Sequence, residues 1–355
     1  PSNAWSAGDE VTRLRVLICE DSGTYASALR RTLEHDGDIT VVAVCCTAEE
    51  ALSALPRTAP DLVTMDVALP GMGGIDAVGK IMGSRPLPIL VLSGQAGPGT
   101  GLPAAALAAG ALDVLAKDAL DLLDPAGPSG AALRHRIKVL SRARVIRHLS
   151  AQLGGLSAGP VPARRASVIG ICASVGGPQV LMRLLDALPA DYPIPILVVQ
   201  HIAAGFTDGL VRWLDQTVGV PVGIAAAGAA ARAGVWFAPE GAHLTLAASG
   251  RLALDTHTVA GHHRPSGDVL LTSIAATAGR TGVAVVLTGM GSDGAAGAGE
   301  VLRRGGLVIA QDERSSAVFG MPKSAIDLGV TVVLPPEKIA ACLLGLGRVP
   351  AAGIR

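Results

Sequence analysis

Continuous apolar runs recur through the second half of the chain, and three of them lead to a polar residue with useful chemistry. The runs and the residues that follow them are 167–173 before Ser174, 194–200 before His201, and 283–292 before Asp293. Apolar runs of this length, separated by helical patterns, are typical of parallel strands that are buried on both faces. The pattern therefore predicts a parallel α/β sheet from about residue 167 onward.

A shorter alternation of apolar runs and helical patterns occupies the first third of the chain. Its strand-like segments are 14–19, 39–45, 62–65, 89–92 and 114–115. Five βα units of this kind predict a small doubly wound domain. We therefore expect an α/β protein with two doubly wound parallel-sheet domains, the first over 13–123 and the second over 167–350.

The segment 124–166 is predicted to be a linker that contains a basic helix. It begins with a break rich in Pro and Gly at 124–130, and residues 131–149 then place Arg and Lys among Leu, Ile and Val. We interpret this stretch as a solvated or interdomain helix, and a docking surface is the alternative. The composition of 154–166, rich in Gly, Pro and Ala, predicts a flexible tether.

Composition narrows the class of protein. The formal net charge is zero, so no overall field favours nucleic acid or an anionic membrane as a partner. No apolar run reaches 18 residues, so membrane insertion is not expected. The five cysteines form no CxxC pair, and the N-terminus has no basic-then-apolar signal pattern. These features favour a cytoplasmic location.

Five polar residues at strand ends of the first domain are expected to face one pocket. They are Glu20, Asp21, Asp66, Ser93 and Lys117. Clustered carboxylates repel one another unless they bind a cation, and their hard oxygen atoms suit Mg²⁺. Asp66 is a candidate to attack a phosphoryl group, with Lys117 and the Ser93 hydroxyl holding the added oxygens. A single aspartate at such a position usually caps a helix, but five suitable residues together favour chemistry.

The segments that carry these residues closely resemble the receiver domain of two-component response regulators, over about 13–123. The matching segments are 16–22, 65–74, 91–93 and 115–117. The resemblance implies a flavodoxin-like fold in which Asp66 accepts phosphate from a histidine kinase. It also implies that Glu20, Asp21 and Asp66 hold Mg²⁺.

Ser174, His201 and Asp293 have the chemistry of a hydrolase triad, and parallel strands would bring them to one sheet edge. Ser174 precedes two glycines and a proline, a pattern that predicts a tight turn into a helix with free backbone N–H groups. One oriented oxyanion donor contributes about 2.7–4 kcal/mol, more than the 0.3–1 kcal/mol of a helix dipole. The candidate oxyanion and pocket residues are Val175, Gly176 and Met290.

Each triad candidate has a simpler interpretation as a helix cap, a loop histidine or a turn aspartate, and only their combination favours catalysis. Dinucleotide binding is a rival, but the expected glycine positions hold Cys172 and Val175. The adjacent His262 and His263 are candidates for a substrate rim, and no carboxylate or cysteine spacing there suggests a metal site.

The second half is similar to the CheB family of chemotaxis protein-glutamate methylesterases. The matching segments are 170–177, 200–206, 236–239, 263–266, 287–295 and 318–322. The resemblance implies a Rossmann-like, hydrolase-type domain with Ser174, His201 and Asp293 as its triad and no cofactor. It also implies hydrolysis of glutamate methyl esters on chemoreceptors with release of methanol, and deamidation of receptor glutamines in some members.

The chain departs from these families at four positions. Val114 and Asp118 stand where receivers often have a switch aromatic and a proline, and Cys172 and Val175 stand where the esterases usually have Gly and Thr or a small residue. Our leading hypothesis is a phosphorylation-regulated esterase whose first domain covers the Ser174 cleft. A receiver-gated signalling adaptor with weak or no esterase activity is the alternative.

Overall fold

The structure is a computed structural model that describes residues 13–94, 101–145, 164–259 and 263–348. The strands of its first domain are β1 (Leu14–Cys19), β2 (Ile39–Cys45), β3 (Leu62–Asp66), β4 (Ile89–Ser93) and β5 (Asp113–Ala116). The helices are α1 (Gly23–Glu34), α2 (Ala48–Thr58), α3 (Gly74–Ser84), α4 (Leu102–Ala108) and α5 (Pro128–Ser141).

The first domain is a parallel sheet with the strand order β2-β1-β3-β4-β5. This is the flavodoxin-like order, and it confirms the predicted fold class. Every residue of β3 and β4 is buried, as expected for central strands covered by helices on both faces. The carboxyl ends of β1, β3, β4 and β5 consequently lie side by side at one edge.

The basic helix that the sequence places in a linker packs against the first domain as α5. Leu133, Ile137 and Leu140 are buried in the same cluster as α1 and the sheet. Arg134 is also buried, and its Nε donates to Asp36 at 2.7 Å. Arg136 pairs with Asp113. These basic residues therefore serve ion pairs within the domain, and the expected tether lies almost entirely outside the described residues.

The second domain continues with strands β6 (Val168–Ala173), β7 (Ile196–Gln200), β8 (Val222–Ile224), β9 (Val235–Phe237), β10 (His243–Leu246), β11 (Leu252–Asp255), β12 (Gly282–Val286), β13 (Leu307–Gln311) and β14 (Val332–Leu334). Its helices are α6 (Gly177–Asp186), α7 (Thr207–Thr217), α8 (Gly267–Ala278), α9 (Ala295–Arg303), α10 (Met321–Asp327) and α11 (Pro336–Gly347).

The seven-stranded sheet of the second domain has the order β14-β13-β12-β6-β7-β9-β8, and all of its pairings are parallel. The three strands that precede the candidate triad, β12, β6 and β7, are neighbours at its centre. All their residues are buried, mostly Val, Ile and Ala, so apolar burial fixes the strands that carry the site. The predicted second doubly wound domain is confirmed.

Strands β10 and β11 form a separate antiparallel hairpin, with Ser249 and Gly250 in the turn between them. Its buried His243 uses both ring nitrogens: Nε2 donates to the Thr258 carbonyl, and Nδ1 accepts from the Ser266 amide. The hairpin thereby contacts the start of α8, which borders the site. Within the described ranges, no helix is both long enough and apolar enough to span a bilayer.

Candidate active site

Ser174 lies directly after β6, on a tight turn that only glycines can make here. Gly176 has φ +72°, a left-handed conformation that favours glycine. A Cβ at Gly177 would lie 2.3 Å from Oε1 of Gln200. The Gly177 amide donates to the Ser174 carbonyl at 2.8 Å, which closes the turn. The sequence pattern therefore predicts the turn correctly, and α6 begins three residues after the serine.

Two buried polar side chains, those of Gln200 and Thr288, hold this turn by hydrogen bonds to its backbone. Gln200 Nε2 donates to the Ser174 carbonyl at 2.8 Å. The Ser174 amide donates to the Thr288 carbonyl at 3.0 Å, and the Thr288 hydroxyl donates to the Val175 carbonyl at 3.0 Å. The backbone on both sides of the serine is thus tied to the adjacent strands, which is the precision that a nucleophile requires.

His201 directly follows β7, the strand next to Ser174. Its amide donates to the Ala173 carbonyl at 2.9 Å, so the backbones of the two residues run side by side. Nε2 of the ring lies 2.8 Å from Oδ2 of Asp293. Nδ1 is buried and has no hydrogen-bond partner within the described part of the chain. A proton on Nε2 leaves Nδ1 as the basic nitrogen on the side of the ring away from the carboxylate.

Asp293 contacts His201, and a loop rather than the end of a strand places it there. The sequence suggests a run to residue 292, whereas β12 ends at Val286. The loop turns at Gly291 and Gly294, which have φ +86° and +90°. Asp293 therefore reaches His201 from the segment just before α9.

The Asp293 carboxylate accepts hydrogen bonds from the start of α8 as well as from His201. Oδ1 accepts from the Ser266 hydroxyl at 2.7 Å and the Asp268 amide at 3.1 Å, and Oδ2 accepts from the Gly267 amide at 2.6 Å. Burial alone would raise its pKa, but the bonds from His201, Ser266 and the two amides outweigh burial and hold the pKa well below its ordinary value. The group is an anion whose orientation is fixed.

Four supporting residues were not predicted from the sequence. They are Gln200, Ser266, Thr288 and Gln311, whose Oε1 accepts from the Thr288 amide at 2.8 Å. A signal existed for Ser266, because a serine before an acidic helical turn is a typical N-cap, and its hydroxyl does accept from Val269. Its hydrogen bond to Asp293 joins residues 27 positions apart in the sequence, and no local sequence pattern indicates it.

The departure at Cys172 is explained by packing. Its thiol lies beneath both Gly267 and Gly294, where a Cβ would come within 2.6 Å and 3.2 Å of the sulfur. Full burial, with smaller contributions from Asp293 and Asp268, raises the pKa of this thiol well above its ordinary value. Cys172 is therefore a neutral packing residue under the segments that hold Asp293.

The candidate oxyanion and pocket residues all contact the first domain. Val175 is buried in the apolar cluster that includes α5 and β1, and Met290 packs against the same cluster. The Gly176 amide donates to the carbonyl of Leu112, just before β5, at 3.2 Å. Gln179 on α6 extends this contact, and its Nε2 donates to the carbonyls of Leu107 and Ala111 at 3.1 and 2.5 Å. The first domain therefore sits directly beside Ser174.

The acidic cluster of the first domain is assembled as the sequence predicts. Carboxylate oxygens of Glu20, Asp21 and Asp66 lie within 4.8 Å of one another. Glu20 and Asp66 are buried, and Lys117 Nζ lies 2.6 and 2.7 Å from their oxygens. Ser93 is buried at the end of β4, the neighbouring strand.

Electrostatics in this cluster follow from burial and close charges. Burial raises the pKa of Glu20, because it outweighs the hydrogen bond from Lys117. Burial opposes the Lys117 charge, yet hydrogen bonds to Asp66 and Glu20 dominate and raise its pKa. The departures lie nearby: Asp118 is exposed in the 3₁₀ turn Lys117–Ala119, and Val114 is buried in β5.

Family comparisons agree with the division into these two sites. The family model of the CheB methylesterase matches residues 169–343, and that of the response regulator receiver domain matches residues 16–123. A protein-glutamate methylesterase/protein-glutamine glutaminase of Anaeromyxobacter dehalogenans (strain 2CP-C) is 41% identical over 339 residues, which cover 94% of this chain and 97% of the relative. The chain belongs to the protein-glutamate methylesterase family.

Other members of the methylesterase family show the same extent of similarity. A second such protein, from Myxococcus xanthus (strain DK1622), is 39% identical over 334 residues, covering 92% of this chain and 93% of the relative. The crystal structure of the Thermotoga maritima CheB methylesterase catalytic domain is 40% identical, with a TM-score of 0.50, and covers 52% of this chain and 100% of that one. The two family resemblances identified from the sequence are confirmed.

Proposed function

We propose that this protein hydrolyses glutamate methyl esters on chemoreceptors, and that a receiver domain over 13–123 regulates the catalytic domain over 167–350. The relatives named protein-glutamate methylesterase/protein-glutamine glutaminase support this activity, and deamidation of receptor glutamines is the second reaction. The observation that carries the proposal is the His201–Asp293 pair, held at 2.8 Å on the strand edge that also carries Ser174. The adaptor alternative is not favoured, since these relatives are named as enzymes.

The proposed reaction has two stages. Ser174 Oγ attacks the ester carbonyl, and His201 accepts its proton at Nδ1 while Asp293 stabilises the resulting imidazolium. His201 then protonates the departing methoxide, which leaves as methanol, and the glutamyl group remains bound to the serine. A water molecule gives a proton to His201 and attacks the acyl carbon. The bond from that carbon to Ser174 Oγ then breaks, His201 returns the proton to Oγ, and the glutamate carboxyl is released. The Gly176 amide, once released from the Leu112 carbonyl, would stabilise the oxyanion in both stages.

A methylated receptor fragment tests this activity, with mass spectrometry as the readout. The full chain should remove the mass of one methylene group per methylated glutamate, and conversion of glutamine to glutamate would show deamidation. Binding of the fragment without any mass change, with or without a phosphodonor, would refute the enzyme and support the adaptor.

Glu20, Asp21 and Asp66 have the hard oxygen donors that fit Mg²⁺, and their spacing is suitable for one ion. When bound, the ion would neutralise the charge of an incoming phosphoryl group. We propose Asp66 as the phosphoacceptor, with a histidine kinase as donor, and Lys117 and Ser93 as ligands of the phosphoryl oxygens. A cytoplasmic location suits a kinase partner and the cytoplasmic parts of receptors.

The contact at Gly176 explains how the receiver would inhibit. The Gly176 amide, two residues after Ser174, can act as an oxyanion donor only when it is free. In this structure it donates to the Leu112 carbonyl. Leu112 and Lys117 stand at opposite ends of β5. They are about 16 Å apart at 3.3 Å per residue. We propose that phosphorylation of Asp66 draws Lys117 away from its present partners, shifts β5 and releases the Gly176 amide.

Asp66→Asn is expected to abolish stimulation by a phosphodonor and to leave the basal rate of ester hydrolysis unchanged. Asparagine cannot form the acyl phosphate, so the inhibitory contacts persist. The measurement is methanol release by the full chain with and without Mg²⁺ and a small acyl phosphate. Asp76→Asn, an exposed site on α3, is the matched control and should remain stimulated. Stimulation that survives in Asp66→Asn would exclude Asp66 as the acceptor.

Gln179→Leu is expected to raise the basal rate without changing the phosphorylated rate. It removes two hydrogen bonds to the receiver, each contributing about 0.5–1.5 kcal/mol, which would shift docking by about 5- to 150-fold. Methanol release by the unphosphorylated full chain measures the effect. Gln216→Leu, at an exposed position on α7, controls for the substitution itself. A basal rate equal to that of the wild type would show that this contact does not restrain the enzyme.

A further inference from the structure

The ring of His263 stacks on the ring of His201. The ring centroids are 4.1 Å apart and the planes differ by 12°. His201 uses the edge of its ring for Asp293, at Nε2, and the stack occupies a face, so the two contacts are compatible. His263 itself is exposed, so its position does not result from burial in the core.

The position of His263 is set by the same short segment that holds Asp293. Ser266 and Gly267, three and four residues later, donate to the Asp293 carboxylate at 2.7 and 2.6 Å. Ser266 is anchored in turn by its amide, which donates to Nδ1 of the buried His243 at 3.1 Å. One segment therefore fixes the carboxylate at the edge of the His201 ring and an aromatic ring over its face.

The charge on His201 changes during the reaction, so the stacked ring of His263 can affect the rate of ester hydrolysis. His201 is neutral before attack and becomes an imidazolium as it takes the Ser174 proton. A neutral aromatic face within about 6 Å attracts a cation, with a strength of about 0.5–2 kcal/mol. Because the cation exists only after proton transfer begins, this attraction stabilises the transition state more than bound substrate.

We propose that His263 is a positioning residue for the esterase reaction, which holds the plane of the His201 ring and stabilises its cationic form. This inference rests on the proposed function, since it concerns the base of that reaction. It differs from the substrate-rim interpretation of the sequence, in which His263 contacts the substrate and influences KM. Because His263 stacks on His201, we expect its loss to change kcat instead.

Two variants separate these roles. His263→Ala removes the ring and should lower kcat by about 2- to 30-fold with KM unchanged. His263→Phe retains an aromatic face that cannot carry charge, and it should recover most of the lost kcat. Both are made in the full chain and assayed with Mg²⁺ and an acyl phosphate, by methanol release from a methylated receptor fragment. His35→Ala, an exposed histidine of the first domain, is the matched control and should match the wild type.

The outcomes are distinct. Loss of kcat in His263→Ala with recovery in His263→Phe supports the proposal. A rise in KM alone, or equal losses in both variants, would overturn it, and so would wild-type kinetics in His263→Ala. The rate at which a fluorophosphonate labels Ser174 gives a second readout that needs no receptor, and it should follow the same order. A wild-type chain that releases no methanol but is labelled at Ser174 would refute the substrate, not the role of His263.

Discussion

Ser174→Ala is expected to lower kcat for methyl ester hydrolysis by about 10⁶-fold, the scale seen when a serine nucleophile is removed. The variant keeps the turn, because the bonds that form it involve the backbone of Ser174 and the side chain of Gln200. It also keeps the His201–Asp293 pair, because the hydrogen bond between those two side chains does not involve the serine hydroxyl. Steady-state methanol release measures the loss, and thermal unfolding should give a midpoint close to that of the wild type.

Ser167→Ala provides the matched control for this prediction. Ser167 is buried just before β6, at the opposite end of the strand from Ser174, and its hydroxyl bonds to Thr281 at 2.7 Å. We expect this variant to lose some stability, about 0.5–1.5 kcal/mol for one hydrogen bond, and to keep its turnover. If Ser174→Ala retained more than a hundredth of wild-type turnover, another nucleophile would have to be sought.

Asp293→Asn is expected to lower kcat by about 10⁴-fold, because it removes control over the His201 tautomer. An asparagine amide in place of Oδ2 would present N–H groups to Nε2, which would then accept, and Nδ1 would carry the proton. Nδ1 would no longer be able to take the proton of Ser174. The measurement is the single-turnover rate of ester cleavage, which reports the acylation step without product release.

The control for Asp293→Asn is Asp208→Asn, in the first turn of α7 and exposed to solvent. It makes the same change of charge in the same domain, so its rate should equal that of the wild type. Ser266→Ala should fall between the two, because the carboxylate then keeps its bonds to His201 and to two backbone amides. A loss of less than tenfold in Asp293→Asn would contradict the role of Asp293.

The strand ends were the most predictable part of the site. Ser174 and His201 follow β6 and β7 directly, and buried parallel strands can be recognised in a sequence as unbroken apolar runs. The position of Asp293 could be predicted only in outline. The residues that orient it, Ser266 and Gly267, belong to a helix start 27 and 26 residues away in sequence, and such pairings carry no local pattern.

The contact between the domains was harder to predict than either fold. The charges of α5 suggested a solvated or interdomain helix, and they gave no sign that Arg134 is buried and paired with Asp36, which lies 98 residues earlier. Val175 departs from the usual esterase residue, yet its apolar side chain fits the cluster it shares with the receiver. Both features depend on partners that only the three-dimensional fold supplies.

A covalent probe for activated serines tests the central claim most directly. The full chain is treated with a fluorophosphonate, with Mg²⁺ and an acyl phosphate present, and the modified peptide is identified by mass spectrometry. We expect one adduct, on Ser174; it should be absent in His201→Ala and should form more slowly in Asp293→Asn. An adduct on a different residue, or none in a protein that still demethylates receptor fragments, would contradict the proposal that these three residues form the hydrolytic site.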